Sequence, residues 1–177
     1  MLCALVLLVT LLLGAAPVVA EVPAAFDGVV VRVVDGDTVH VRLGDRIEKV
    51  RYIGVNTPEI HHPRKGEQPG GPEAHAVNRR LIEGKRVRLE LDVQPRDRYG
   101  RMLAYVWVGP MMINAELVRL GYAQVMTVPP NVRHQALFLK LQRDAREAGR
   151  GLYSHGGQDM APKPPERSGL IDSPAFR

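Results

Sequence analysis

The chain has 177 residues, a net charge of +5 and a single cysteine, Cys3. One cysteine excludes an internal disulfide and a cysteine-ligated zinc centre, and the length allows one core of ordinary size. The basic balance favours polyanionic partners over acidic ones without identifying any.

Met1 to Ala20 carries no charged side chain, and Leu2 to Leu13 is apolar except for Thr10. Val18-Val19-Ala20 sets small residues where a signal peptidase reads, so a cleaved leader over 1–20 is expected. An uncleaved anchor over Leu2 to Ala20 is the alternative, since that run is barely long enough to span a bilayer.

From Gly28 to Val34 the chain is valine-rich and reads as a strand. Asp35-Gly36-Asp37 is a turn, with Gly36 free to take positive φ. Thr38 to Leu43 alternates, with Val39, Val41 and Leu43 on one face and His40 and Arg42 on the other. Gly44-Asp45-Arg46 turns into a third strand, Ile47 to Val55, and the three form a meander. A long loop from Asn56 to Gly71 follows. Pro72 and Glu73 then suit the first turn of a helix carrying Ala74, Val77 and Leu81 on one stripe and ending at Gly84. Val87 to Val93 alternates as a fourth strand, and Arg101 to Val108 is a fifth. Helices are expected over Ile113 to Leu120 and over His134 to Ala148, the latter burying Leu137, Leu141, Ala145 and Ala148. Ser154 to Arg177 is rich in Gly, Pro and charge and reads as a disordered tail, leaving one domain over 21–153. Five short strands with a helix after the third imply a mainly β fold, a five-stranded Greek-key barrel of the OB type with three helices.

Two stretches carry chemistry. Asp35 and Asp37 flank Gly36 at the hairpin tip, and carboxylates this close repel unless a cation neutralises them. Arg51-Tyr52-Ile53-Gly54-Val55-Asn56-Thr57-Pro58-Glu59 begins as a strand and ends in a polar corner, where Pro58 has a fixed φ and holds Thr57 extended. Pairing of the second and third strands brings this corner to the tip. Asp37, the Asn56 side-chain oxygen and the Thr57 carbonyl would then converge as an all-oxygen set, the kind Ca²⁺ takes. Without cysteines or paired histidine spacing, nothing argues for zinc. His61 and His62 sit beside the corner, where they could add a metal ligand or a proton carrier, though two loop histidines are more often simply solvated.

Asp35-Gly36-Asp37-Thr38, the Arg51–Glu59 stretch, Gly71-Pro72-Glu73-Ala74 and Asp97-Arg98-Tyr99-Gly100-Arg101-Met102-Leu103-Ala104-Tyr105 stand in the order and spacing of the staphylococcal nuclease family. The sequence resembles that family from about Phe26 to Tyr153, continuing through Asn114-Ala115-Glu116-Leu117-Val118-Arg119 and Gly121-Tyr122-Ala123. The resemblance implies an OB-fold barrel and Ca²⁺-dependent hydrolysis of DNA and RNA, breaking the 5′ P–O bond to leave 3′-phosphates. It implies that Arg51 and Arg101 hold the scissile phosphate and that Glu59 orients or deprotonates the attacking water. It also implies that Asp37, Asn56 and the Thr57 carbonyl ligate Ca²⁺, with Asp35 assisting from behind them. Such an enzyme would be secreted or periplasmic, monomeric, and free of the membrane once its leader is cleaved.

Two departures matter. The family's founding member has an aspartate where Asn56 stands, so weaker Ca²⁺ binding or looser metal choice is expected. It also has tyrosines where Thr127 and Pro129 stand, which leaves Tyr99 and Tyr122 as candidates for stacking on the substrate. Lys65, with Arg64, Arg79, Arg80 and Lys85, could track phosphates. A barrel that binds nucleic acid without cutting it is the rival reading. The joint presence of Arg51, Glu59 and Arg101 argues against it, because a pure binder needs no acid beside the phosphate.

Overall fold

A computed structural model describes residues 24–60 and 66–154. The leader, the tail after Ser154, and His61, His62, Arg64 and Lys65 lie outside the described residues.

Eight strands and three helices are present among those residues: β1 (Ala25–Asp35), β2 (Thr38–Leu43), β3 (Arg46–Tyr52), β4 (Val55–Asn56), α1 (Gly71–Ile82), β5 (Arg86–Glu90), β6 (Met102–Val108), β7 (Met111–Met112), α2 (Ile113–Arg119), β8 (Gln124–Val125) and α3 (Gln135–Glu147). Five of the strands run in the order β3-β2-β1-β5-β6. The sheet closes because Val50, Arg51 and Tyr52 of β3 pair in parallel with Met102, Leu103 and Ala104 of β6. Every other ladder in this sheet is antiparallel. The result is the closed five-stranded mixed barrel with three helices expected of an OB-type fold.

The alternation in the strands explains the core. Val30, Val39, Val41, Val50, Leu89 and Val106 point inward and are buried. Helix α1 adds Ala74, Val77 and Ile82, and α2 adds Ile113, Leu117 and Val118. Burying such side chains stabilises the fold by roughly 1.5–3 kcal/mol each, before conformational entropy opposes it.

Four local expectations are corrected. The third strand stops at Tyr52 rather than running to Val55. Gly54 adopts φ +78, and a Cβ there would lie 2.7 Å from the Phe138 ring. The chain therefore turns at Ile53-Gly54, and Val55–Asn56 pairs with β8 instead of continuing along β2. Gly36 is needed for space rather than for a left-handed φ: it is not among the positive-φ glycines, and a Cβ on it would lie 2.6 Å from Thr57 Oγ1. The fourth strand ends at Glu90, and Val93 is 70% exposed. Helix α3 buries Phe138 and Ala145, with Leu141 packed at the edge of the core, while Leu137 is 42% exposed and Ala148 is exposed too. Phe138, packed against Gly54, takes the place expected for Leu137, while Leu141 and Ala145 keep theirs.

Candidate active site

The β2–β3 register places Arg51 opposite Thr38, next to the β1–β2 tip. At that tip Asp37 is only 5% exposed, yet it is fully engaged. Its Oδ2 accepts from Thr57 N at 2.8 Å and Thr57 Oγ1 at 3.1 Å, and its Oδ1 accepts from Thr38 Oγ1 at 3.1 Å. Arg51 Nη2 stands 3.1 Å from Oδ2 as an ion-pair partner. A buried pair of this kind is tolerable only when the remaining donors and acceptors are satisfied. Arg51 meets that condition, since Nη1 donates to the carbonyls of Tyr52 (2.7 Å) and Val55 (2.8 Å), and Nη2 donates to Asn56 Oδ1 (3.0 Å). The Ile53-Gly54 turn brings the Val55 carbonyl back to the guanidinium. Asn114 fixes that turn, donating to Ile53 O at 2.9 Å while accepting from Val106 N at 2.9 Å.

Asp37, Asn56 and Thr57 thus gather as expected, although the route is the Gly54 turn rather than a continuous strand. Asn56 Nδ2 donates to Thr57 O at 3.4 Å, which links the amide to the carbonyl. Asp35 lies behind them, with Gly36 N donating to its Oδ1 at 2.9 Å. Burial pushes the Asp35 carboxyl above its ordinary range, and the charges of Asp37 and Glu59 push it the same way, against hydrogen bonds from Gly36 and Ile60. The repulsion expected between Asp35 and Asp37 is therefore present, with Glu59 a third contributor. The hairpin carrying them is tied to α1 by Asn78, whose Nδ2 donates to Asp35 O at 3.1 Å and whose Oδ1 accepts from Tyr52 OH at 3.0 Å.

These donors fit a hard divalent cation. They are all oxygens, one of them a buried carboxylate, and a cation, the Arg51 guanidinium, already bridges Asp37 Oδ2 and Asn56 Oδ1. Among the described residues no three His, Cys, Asp or Glu side chains cluster as a metal site. An amide and a backbone carbonyl would have to stand in for carboxylates here.

Glu59 is held by its backbone: its N–H donates to Gln68 Oε1 at 3.0 Å, and its carbonyl accepts from Gln68 N at 2.9 Å. Among the described residues none donates to its carboxylate. Glu59 lines a cavity of about 510 Å³ together with Arg51, Asn56, Tyr99 and Arg101. Arg101 enters from the Asp97–Gly100 turn, its Nε donating to Asp97 Oδ2 at 2.6 Å and its guanidinium lying 5.5 Å over the Tyr99 ring. Tyr99 itself is 68% exposed. Burial raises the Asp97 carboxyl, but hydrogen bonds from Arg101 and from the Arg101 and Tyr99 N–H groups outweigh it and hold the group below the usual carboxylate range.

The fold does not gather every candidate. Tyr122 packs against the core and is not among the residues lining the cavity. Gln94, Arg98, Met126, Val128 and Asn131 line it without having been singled out. The Asn131 side chain clamps the Gln94 backbone, its Oδ1 accepting from Gln94 N at 2.7 Å and its Nδ2 donating to Gln94 O at 2.8 Å. The one advance signal for the buried asparagines was Asn78, a polar residue four positions after Ala74 on the apolar stripe of α1.

Residues 49–155 match the family described as "Staphylococcal nuclease homologue". The chain is 40% identical over 126 residues to a thermonuclease of Staphylococcus hyicus, covering 71% of this chain and 75% of the relative. It is 41% identical over 116 residues to a thermonuclease of Staphylococcus intermedius, covering 66% and 69%. With endonuclease YncB of Bacillus subtilis it shares 34% identity over 128 residues, covering 71% and 61%. The family match begins within the strand that bears Arg51 and takes in Glu59 and Arg101. The chain therefore belongs to the family of staphylococcal nuclease homologues.

Proposed function

We propose that this chain is an exported, Ca²⁺-dependent nuclease that cuts DNA and RNA and leaves 3′-phosphate ends. Its place among phosphodiester hydrolases follows from the family and from relatives named as thermonucleases and endonucleases. The observation that carries the mechanism is the shared cavity: two arginines and a glutamate whose carboxylate has no donor partner among the described residues line the same space. A phosphodiester entering it gains negative charge as water adds. Arg51 and Arg101 can donate to the equatorial oxygens, and the planar fork of arginine suits that geometry better than an ammonium. Glu59 is the group placed to take the proton of the attacking water. A divalent ion held by Asp37, Asn56 and the Thr57 carbonyl would add positive charge beside the phosphate. Arg51 Nη1 stays bound to two carbonyls, so Nη2 is the edge that an anionic oxygen would win from Asn56. Tyr99, beside Arg101, offers an exposed ring for a base.

Export rests on the leader over 1–20, and no described helix is long and apolar enough to cross a membrane. A monomer is proposed, as nothing in the chemistry requires a second copy.

The test is incubation of the chain from Glu21 onward with plasmid and with RNA, with calcium or chelator, beside Glu59→Gln. Glu59→Gln should lower the rate by roughly 10²–10³-fold, by analogy with removal of a single transition-state group. Full activity in chelator, or in Glu59→Gln, would sink the mechanism. A calcium titration of Asn56→Asp in the same series should show tighter binding than the parent, and equal affinity would argue that the missing charge is immaterial. N-terminal sequencing of the exported protein should begin at Glu21.

A further inference from the structure

A second concavity, of about 630 Å³, lies on the outer face of the barrel. Four adjacent strands build it. Val29 of β1 stands opposite Arg42 of β2 and Arg86 of β5, while Arg88 of β5 stands opposite Asp27 of β1 and Trp107 of β6. Directly opposed residues share a face of a sheet. Their neighbours Val30, Val41, Val87 and Val106 are buried inside the barrel, so these two rows face outward.

The groove is electrostatically unbalanced. Three guanidiniums line it with one carboxylate, Asp27. Among the described residues Arg42 and Arg86 have no ion-pair partner. Arg88 reaches only Glu90 Oε2, at 3.6 Å, and the other Glu90 oxygen is taken by Arg133 at 2.7 Å. The excess extends along the sheet, where His40 lies between Arg32 and Lys49 in the next row. Burial, then the charges of Arg32 and Lys49, hold that imidazole below its ordinary range. Clustered like charges weaken a fold, and a bound polyanion removes the repulsion.

The groove also offers an aromatic platform. Arg88 lies 5.3 Å over the Trp107 ring, and Trp107 Nε1 is a buried donor without an acceptor among the described residues. Cations in rows beside an indole are what a single nucleic-acid strand needs, because phosphates meet the cations and a base meets the stacked ring and guanidinium.

We infer that this outer groove is a second nucleic-acid site, which holds strand phosphates on Arg42, Arg86 and Arg88 and a base against Trp107. The identity of the occupant rests on the nuclease reading of the cleft, but the groove is a separate surface. Leu103 lines the cleft and Trp107 the groove, both on β6. Four residues of strand separate them by about 13 Å, which is roughly four nucleotides at the spacing of one strand in a duplex. Tyr105 between them is buried beneath His134 and Phe138. A strand joining the two therefore passes around the start of α3, which a dinucleotide in the cleft is too short to do and a longer strand is not. The groove would thus favour polymers over fragments.

Trp107 is the only tryptophan in the chain, so its fluorescence reports the groove directly. The full chain carrying Glu59→Gln is titrated with a long single-stranded oligonucleotide and with a dinucleotide, at several salt concentrations. The same titrations are made with Arg42, Arg86 and Arg88 all changed to Gln, and with all three changed to Lys. The oligonucleotide should quench Trp107 and the dinucleotide should not. The glutamine triple should bind more weakly, with a log–log salt slope shallower by about 2, at about 0.7 per phosphate contact, and the lysine triple should keep most of the slope. With Glu59 restored, the glutamine triple should cleave a dinucleotide like the parent but show a raised KM for long strands. An oligonucleotide that leaves Trp107 unquenched and a slope unchanged in the glutamine triple would overturn the inference while leaving the nuclease reading intact. Quenching by anionic lipid vesicles alone would also overturn it, in favour of a membrane surface. Arginine-dependent quenching in a chain that cuts nothing would uphold the groove and remove the nuclease reading.

Discussion

Arg51 and Arg101 face one cavity from opposite kinds of surroundings. Arg51 is 7% exposed and is held by two carbonyls, an amide oxygen and the Asp37 carboxylate. Arg101 stands on a surface turn with Asp97 as its one hydrogen-bonding carboxylate and an exposed tyrosine beside it. The first cation is built into the barrel seam, where β3 meets β6, and it also neutralises a buried acid. The second follows a surface turn and is held there by the single carboxylate of Asp97. Under the proposed function, a phosphate would meet one arginine locked in the barrel and one standing beside a surface turn. Damage to each should therefore look different.

The largest effect belongs to Arg51. Arg51→Gln leaves Asp37 buried without its countercharge, and breaking such a pair costs about 3–5 kcal/mol of stability. Urea unfolding should show that loss together with a fall in cleavage rate of about 10²–10³-fold. An unaltered unfolding midpoint would mean that Arg51 has no structural role.

Arg101→Gln should separate the two roles. Cleavage should fall by roughly 10²-fold, while stability changes by no more than about 1 kcal/mol, as for other surface ion pairs. A loss of stability matching that of Arg51→Gln would erase the contrast between the two arginines.

Asp97→Asn should have the smallest effect, and its pH dependence carries the sign. The folded protein holds the Asp97 carboxyl below its ordinary value of 3.8, so its contribution is present above that pH and is lost as pH falls through the folded value. Asp97→Asn should therefore be slightly less stable than the parent at neutral pH, by under about 1 kcal/mol because the pair is solvent-screened. The two unfolding curves should converge in strong acid. A gap that widens on acidification would show that Asp97 acts through the turn's backbone and not through its charge.

Local chemistry is what the sequence by itself determined. Alternating valines, the Gly-Pro-Glu helix start and the short turns specify strands and helices in their order, because each signal is complete within a few residues. The same holds for the polar corner: Pro58 shapes Asn56-Thr57-Glu59 wherever the chain places it. Tertiary structure decided what depends on distant partners. Gly54 ends β3 because Phe138, far along the chain, packs where a Cβ would stand, and that contact also selects Phe138 over Leu137 as the buried face of α3. Closure of β3 on β6 sets Arg51 beside Leu103, and the Asp97–Gly100 turn preceding β6 brings Arg101 to the same cavity. The four carbonyl, amide and carboxylate partners of Arg51 could not be read from an arginine at a strand end. Nor could the outer groove, since Arg42, Arg86, Arg88 and Trp107 are ordinary alternating positions until four strands align them. Side-chain direction is a local property of a strand, but which residues share a row is a property of the register, and the register is fixed only when the barrel closes.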